Sequence, residues 1–289
     1  MEATFLQIIL LGIIQGAAEL LPVSSSAHVI VAEKLMGMDP TRPEMTLLLV
    51  MLHTGTMFAV IVFFWSQWRA RFGRSGRDLL RFVKLLAVAT LLTGVVGLLL
   101  KQVIERVFLR DQPHAEVENL FGNLTLISIA LAAAGILIII AGLRDHKRPR
   151  REGGAVDLAG ASWMGLVQGV CLPFRGFSRS GATISTGLLR GLSRTQVEEF
   201  SFAMAVVLTP PVIVREVLRM LRAHQLQGVP GGLVHLFVPS LLGMVMAFGS
   251  GLLALKWLSA WLERGRWHLF GAYCICASMV VFVLSWSTI

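Results

Sequence analysis

Apolar residues dominate this chain in runs of about twenty, separated by short polar connectors. A helix rises about 1.5 Å per residue, so roughly 20 apolar residues cross a hydrocarbon layer of about 30 Å. Six stretches have that length, at approximately 46–65, 82–100, 120–143, 200–219, 233–258 and 267–286, each bounded by charged or Gly/Pro-containing connectors. Two other apolar regions, around 1–36 and 156–192, are interrupted by Pro22 and Pro173 with Ser and Gly clusters behind them. Half-length helices on either side of each break predict two re-entrant pairs, because non-helical backbone survives at membrane depth only where protein buries it or it lines a wet cavity. The expected fold is an all-α polytopic membrane protein with about six full transmembrane helices plus two re-entrant helix pairs, in a single integral membrane domain over 1–289.

The two broken regions carry nearly the same polar pattern. Gly12-Ile-Ile-Gln-Gly16, Glu19 and Pro22-Val-Ser-Ser-Ser-Ala-His28 are answered 153 positions later by Gly165-Leu-Val-Gln-Gly169 and then Pro173-Phe-Arg-Gly-Phe-Ser-Arg-Ser-Gly-Ala-Thr183. The pattern predicts an internal repeat with halves of about 1–119 and 155–289, joined by the span 120–143 and a basic loop. Arg69, Arg71, Arg74, Arg77 and Arg81 fall on the same side as Arg144, Lys147, Arg148, Arg150 and Arg151 if the spans alternate, and that side should be cytoplasmic. Both termini then lie outside, the first pair enters from outside, the second enters from the cytoplasm, and the repeat is inverted. Arg215, Arg219 and Arg222, near an outer end, run against this rule.

Composition narrows the class. The 289 residues are 55% hydrophobic and 15% charged, with a mean hydropathy of +0.72, which excludes an ordinary soluble domain. The net charge of +9 sits in short loops, so lipid headgroups and topology account for it and no nucleic-acid partner is expected. Glu2, Gln15 and Glu19 mark the first apolar stretch as mature protein, not a cleaved signal. Cys171, Cys274 and Cys276 lie in apolar runs without zinc-ligand spacing and read as packing residues.

Ionisable groups at membrane depth are costly, so Glu19, His28 and Arg179 mark a functional site. Ser178, Arg179, Ser180, Gly181 and Thr183 open a half-helix with hydroxyls, small residues and one fixed cation. Backbone N–H groups at a helix start and a guanidinium that binds two oxygens at once suit a phosphate. Gln15 and Glu19 share a helix face by their i,i+4 spacing, and a carboxylate there suits Mg²⁺ or Ca²⁺, which prefer oxygen ligands shared with substrate phosphates. Ser24, Ser25, Ser26 and His28 offer hydroxyls and an imidazole: Ser25 attacks with a base accepting its proton, or His28 attacks or acts as acid/base. The residues leave that choice open. His53, without an adjacent carboxylate, reads as structural, and Arg175 reads either as lining the site or, more readily, as contacting headgroups.

Together these motifs resemble the bacterial undecaprenyl-diphosphate phosphatase family, associated with bacitracin resistance. The likeness rests on Gln15-x-x-x-Glu19, Pro22 to His28, Gly176 to Thr183 and Glu199-Phe-Ser-Phe202, in that order. It implies an inverted-repeat membrane fold, a divalent cation, and removal of the terminal phosphate from a C55 polyprenyl diphosphate at the periplasmic face of the bacterial inner (plasma) membrane. It assigns Glu19 and Gln15 to the acidic, metal-associated element, Ser25 and His28 to the nucleophile and base, and Ser178, Arg179 and Thr183 to the phosphate loop. The expected partners are the polyprenyl diphosphate and membrane lipids, with a homodimer left open. Phe174-Arg175 before Gly176, Ala27 before His28, and the pair Pro210-Pro211 depart from the family pattern, the last moving the expected helix break by about one turn. A membrane transporter or lipid flippase is the rival reading, because inverted repeats with broken helices are also transporter architecture.

Overall fold

The computed structural model describes residues 4–38, 43–73, 75–108, 120–147, 154–227 and 232–287. The described residues form helices throughout, with one isolated bridge between Gly154 and Leu192. In chain order the helices are α1 (Phe5–Leu20), α2 (Ser25–Leu35), α3 (Pro43–Phe72), α4 (Gly76–Val103, continued by a π turn at Ile104–Phe108) and α5 (Leu124–His146). Then come α6 (Leu158–Cys171), α7 (Arg179–Leu189), α8 (Arg194–Gln227), α9 (Gly232–Glu263) and α10 (Trp267–Ser287). Two short helices followed by three long ones therefore occur twice.

Six helices are long and apolar enough to cross a membrane, with spans at Met45–Phe72, Gly76–Val107, Leu124–His146, Arg194–Arg215, Phe237–Glu263 and Trp267–Trp286. They overlap the six expected stretches, and most run further into the charged connectors. Arg69 and Arg71 lie in the last turn of α3, and Arg77 and Arg81 lie in α4, whose N-cap Ser75 accepts from the Asp78 amide at 3.3 Å. Arginine is a good helix former whose aliphatic stem lies along apolar surface, so a charged head does not end the helix. Arg74, Arg110, Asp111, Glu116, Glu118, Arg148, Arg150 and Arg151 lie outside the described residues. The expected break near Pro210 and Pro211 is absent: α8 stays helical through both, and the Thr209 hydroxyl donates to the Ala205 carbonyl at 2.7 Å. Membrane helices tolerate proline where local adjustment or other partners satisfy the freed backbone groups.

The short helices form two hairpins. The Gln7 amide donates to the Met36 carbonyl at 3.2 Å, joining the start of α1 to the end of α2. Gly154 pairs with Gly191 and Ser193 through backbone bonds of 3.2 and 2.9 Å, joining the start of α6 to the end of α7. Each hairpin is wedged against a long helix of the other half, α1 on α9 and α6 on α4. Glycines permit this approach. A Cβ on Gly12 would meet the Gly243 carbonyl oxygen at 2.8 Å, and one on Gly165 would meet the Ala89 Cα at 2.7 Å. Around them the large buried side chains Phe64, Phe200, Phe202 and Trp267 fill the core, and the Trp267 indole donates to Ser185 at 2.9 Å.

Candidate active site

The tips of the two hairpins meet. Ser26 Oγ accepts from the Gly176 amide at 3.3 Å, and Ser180 Oγ donates to the Leu21 carbonyl at 3.4 Å. Gly176 has φ +98°, and a Cβ there would meet Ile127 Cα at 3.0 Å, so both conformation and space call for glycine. Ser24 is the one described non-glycine residue with positive φ, at +68°. Side chains rarely adopt that backbone, and such strain persists only where the surroundings enforce it, characteristically at functional sites. Here it turns the chain so that Ser25 opens α2 facing the end of α1.

Glu19 is the centre of the cluster. Its Oε1 accepts from Arg179 Nη2 at 2.9 Å, and its Oε2 accepts from Ser25 Oγ at 2.5 Å and from Gln15 Nε2 at 3.3 Å. The Glu19 and Arg179 side chains are each 18% exposed, so the pair is shielded without being sealed. Arg179 Nη1 is buried with no partner. A buried donor left unpaired costs about 1–3 kcal/mol, so this nitrogen is open to an incoming acceptor.

The imidazole of His28 is engaged on both nitrogens. Nδ1 lies 2.8 Å from the Ser24 carbonyl and Nε2 lies 2.7 Å from the Tyr273 hydroxyl, with the two rings stacked at 5.7 Å. A carbonyl only accepts, so Nδ1 donates to it; neutral His28 then accepts the Tyr273 proton at Nε2. The serine in contact with a carboxylate is Ser25, and that carboxylate is Glu19.

The other sequence-named groups are near the tips and serve mainly to build them. Ser24 and Ser26 hydroxyls lie 3.2 Å apart. Ser178 caps α7 by accepting from the Gly181 amide at 3.2 Å, and a Cβ on Gly181 would meet Ile138 Cδ1 at 2.7 Å. The Thr183 hydroxyl donates to the Arg179 carbonyl at 2.9 Å and bonds Ser201 Oγ at 2.6 Å. Glu199 pairs with Arg71 at 2.6 Å, so its motif ties α8 to α3 and, through Ser201, to α7. Arg175 is exposed, lies over the Phe121 ring at 4.5 Å, and acts electrostatically on the buried carboxylate of Glu33. Cys171 and Cys274 are buried free thiols, as packing residues should be, whereas Cys276 is exposed.

Two neighbours escape sequence reasoning. His53 Nε2 lies 3.9 Å from Glu19 Oε2 because α3 packs beside α1. Tyr273 comes from α10, 245 positions from His28. Its one available signal was that it is the sole tyrosine of the chain.

The sequence that builds this geometry has known relatives. The family described as Bacitracin resistance protein BacA matches residues 8–280. Undecaprenyl-diphosphatase 2 of Acinetobacter baylyi is 56% identical over 282 residues, covering 97% of this chain and 98% of that protein. Undecaprenyl-diphosphatases of Gluconacetobacter diazotrophicus and Desulfosudis oleivorans are each 34% identical, over 97% and 93% of this chain and 97% and 94% of their own lengths. With its two hairpins and the Glu19–Arg179 contact between them, the chain belongs to the bacitracin resistance protein BacA family.

Proposed function

We propose that this protein hydrolyses undecaprenyl diphosphate to undecaprenyl phosphate and phosphate, recycling the lipid carrier for cell-wall synthesis and giving bacitracin resistance. Full-length similarity to undecaprenyl-diphosphatases supports the reaction. The observation that carries the mechanism is the meeting of Ser25, Glu19 and Arg179 at the hairpin tips, with the second guanidinium nitrogen unpartnered.

Arg179 binds the terminal phosphate, offering Nη1 and exchanging Glu19 Oε1 for a phosphate oxygen. Glu19 takes the Ser25 proton through the contact already made by Oε2, and Ser25 Oγ attacks the terminal phosphorus. The bond to the bridging oxygen breaks, and the proton held by Glu19 passes to that oxygen as undecaprenyl phosphate leaves. Water then attacks the phosphoserine, with Glu19 moving one proton from the water to Ser25 Oγ as phosphate departs. Phosphoryl transfer depends mainly on positioning and electrostatics, which is the work of Arg179 and the α7 N-terminus. Tyr273 and the Ser24 carbonyl hold His28 beside the serine run and fix its orientation.

Mg²⁺ or Ca²⁺ would be held chiefly by the Glu19 carboxylate, with the Ser25 hydroxyl beside it as a second oxygen, while Gln15 turns its amide nitrogen to that carboxylate. Bound there, the cation would neutralise diphosphate charge.

The active site is read as facing the periplasm from the bacterial inner membrane. Arg194 bonds Asp145 at 2.6 Å and the Glu263 carbonyl at 2.9 Å, while His146 bonds the Gly265 carbonyl at 3.2 Å. These bonds gather basic α5, α8 and α9–α10 ends at the root of the second hairpin, the side that the positive-inside rule makes cytoplasmic. The first hairpin, rooted at the opposite end, enters from the periplasm and carries Glu19 and Ser25 at its inner tip, making each hairpin a re-entrant pair.

Phosphate release from undecaprenyl diphosphate by detergent-purified protein, with Mg²⁺, Ca²⁺ or chelator, tests this reading. Release that needs the cation and disappears in Glu19→Gln is expected. A well-folded wild type that releases none under any cation overturns it.

A further inference from the structure

His53 lies outside every motif of the repeat, yet its ring is held in a particular way. Nδ1 is 2.8 Å from the Leu49 carbonyl, one helical turn earlier. A carbonyl only accepts, so the ring proton sits on Nδ1 and neutral His53 presents a bare Nε2. That nitrogen faces Glu19 Oε2 across 3.9 Å, with no hydrogen bond between them. Oε2 already accepts from Ser25 and Gln15. Two lone-pair atoms opposed across this gap repel unless a proton or a metal cation lies between them.

Metal-ligating histidines almost always donate their other ring N–H to a carboxylate or backbone carbonyl, which fixes the tautomer and aims the free nitrogen. His53 has that arrangement before any metal arrives. Ligand atoms about 2.1 Å from a shared ion lie on the order of 3.0–3.5 Å apart, so a few tenths of an ångström of Glu19 side-chain movement brings both into range. The His53 side chain is 39% exposed, which leaves an approach for a hydrated ion.

We infer that His53 is a nitrogen ligand of a divalent cation held with Glu19, making the cation site mixed nitrogen and oxygen, not purely oxygen. This rests on the reading above that Glu19 holds a cation. Imidazole favours Mn²⁺ and later transition ions over Mg²⁺ and Ca²⁺. The site therefore discriminates among cations through His53, while Glu19 supplies the oxygen ligand any hard ion would accept.

Bound Mn²⁺ reports its own ligands. Full-length protein in detergent is loaded with Mn²⁺, and electron spin-echo envelope modulation is recorded for wild type, His53→Ala, His53→Gln and His28→Ala. The expected result is a directly bound ¹⁴N signal in wild type and His28→Ala, lost in both His53 variants, with Mn²⁺ affinity falling by at least about tenfold and Mg²⁺ affinity changing less. Size-exclusion profiles and the bound-lipid content identify any variant that fails to fold, and the wild-type spectrum stands without the variants. Absence of ¹⁴N coupling from Mn²⁺-loaded wild type, its survival in His53→Ala, or unchanged Mn²⁺ affinity in both His53 variants overturns the assignment and leaves the pair sharing only a proton. Phosphate release without ¹⁴N coupling refutes the ligand and preserves the phosphatase. Coupling without phosphate release under any cation does the reverse.

Discussion

Along α1 the buried positions Ile8, Leu11, Gly12, Gln15, Gly16 and Ala18 coincide, 153 positions on, with buried Ala161, Met164, Gly165, Gln168, Gly169 and Cys171 of α6. The serines preceding α2 and α7, Ser24 and Ser178, also correspond, 154 positions apart. On this common scaffold the chemistry differs position by position. Glu19 corresponds to Leu172, Ser25 to Arg179 and His28 to Ala182. Ser24 has φ +68° and no side-chain cap, whereas Ser178 has φ −56° and caps its helix. On the proposed mechanism one hairpin holds nucleophile and base, and the other supplies the opposing positive charge. On that reading neither tip is a site alone, and the two halves divide the work across a shared contact.

The strongest test of that division removes one functional group from each tip. Ser25→Ala should abolish measurable phosphate release, because no other hydroxyl bonds Glu19 among the described residues. Arg179→Ala should lower kcat by about 10²–10³, the loss typical of one preorganised transition-state donor. Both should keep the wild-type size-exclusion profile. Steady-state phosphate release measures both effects, and equal, small losses would mean that the tips do not divide the labour.

A scaffold test comes next. Gly12→Ala and Gly165→Ala each force a methyl into backbone or Cβ atoms of a facing helix. Overpacking of this kind costs about 1–3 kcal/mol. Thermal unfolding in detergent should move down for both by similar amounts. A large shift for one alone would show that the halves no longer pack as equivalents.

The sequence is most readable where a physical requirement is local. Run length announces the six spans, and Pro22 and Pro173 with their Ser and Gly neighbours announce both tips, because each constraint acts within a few residues. Helix ends are less readable: Arg69 and Arg81 look like connector residues, yet lie within α3 and α4, because arginine is a good helix former. The expected break at Pro210 and Pro211 fails because α8 runs on through both, against their local preference to end a helix. His53 and Tyr273 are least readable of all. Each sits on a long apolar span and becomes part of the site only when that span packs against a hairpin. A periodicity that reveals burial is silent about which buried neighbour a side chain will meet.

The smallest expected difference concerns how each hairpin's glutamine is held. Gln168 is fully buried and donates to Thr93 Oγ1 at 3.3 Å, while that hydroxyl also lies 3.0 Å from the Gly165 carbonyl and 2.8 Å from the Ala89 carbonyl. Its counterpart Gln15 instead turns to Glu19, and the hydroxyl opposite Gly12, Ser250, lies at a long 3.4 Å from the Gly12 carbonyl. Thr93→Val keeps the shape and leaves the Gln168 amide without its acceptor beside an Oε1 that already lacks a partner. Interhelical hydrogen bonds in membranes are worth about 1–2 kcal/mol at most, so Thr93→Val should destabilise by about that amount. Ser250→Ala should cost less than about 0.5 kcal/mol, since a bond of that length contributes little. Thermal melts of the two variants compare them directly, with phosphate release unaffected by either at temperatures below the transition. An equal cost at both positions would mean that Ser250 ties the first hairpin to its facing helix as firmly as Thr93 ties the second.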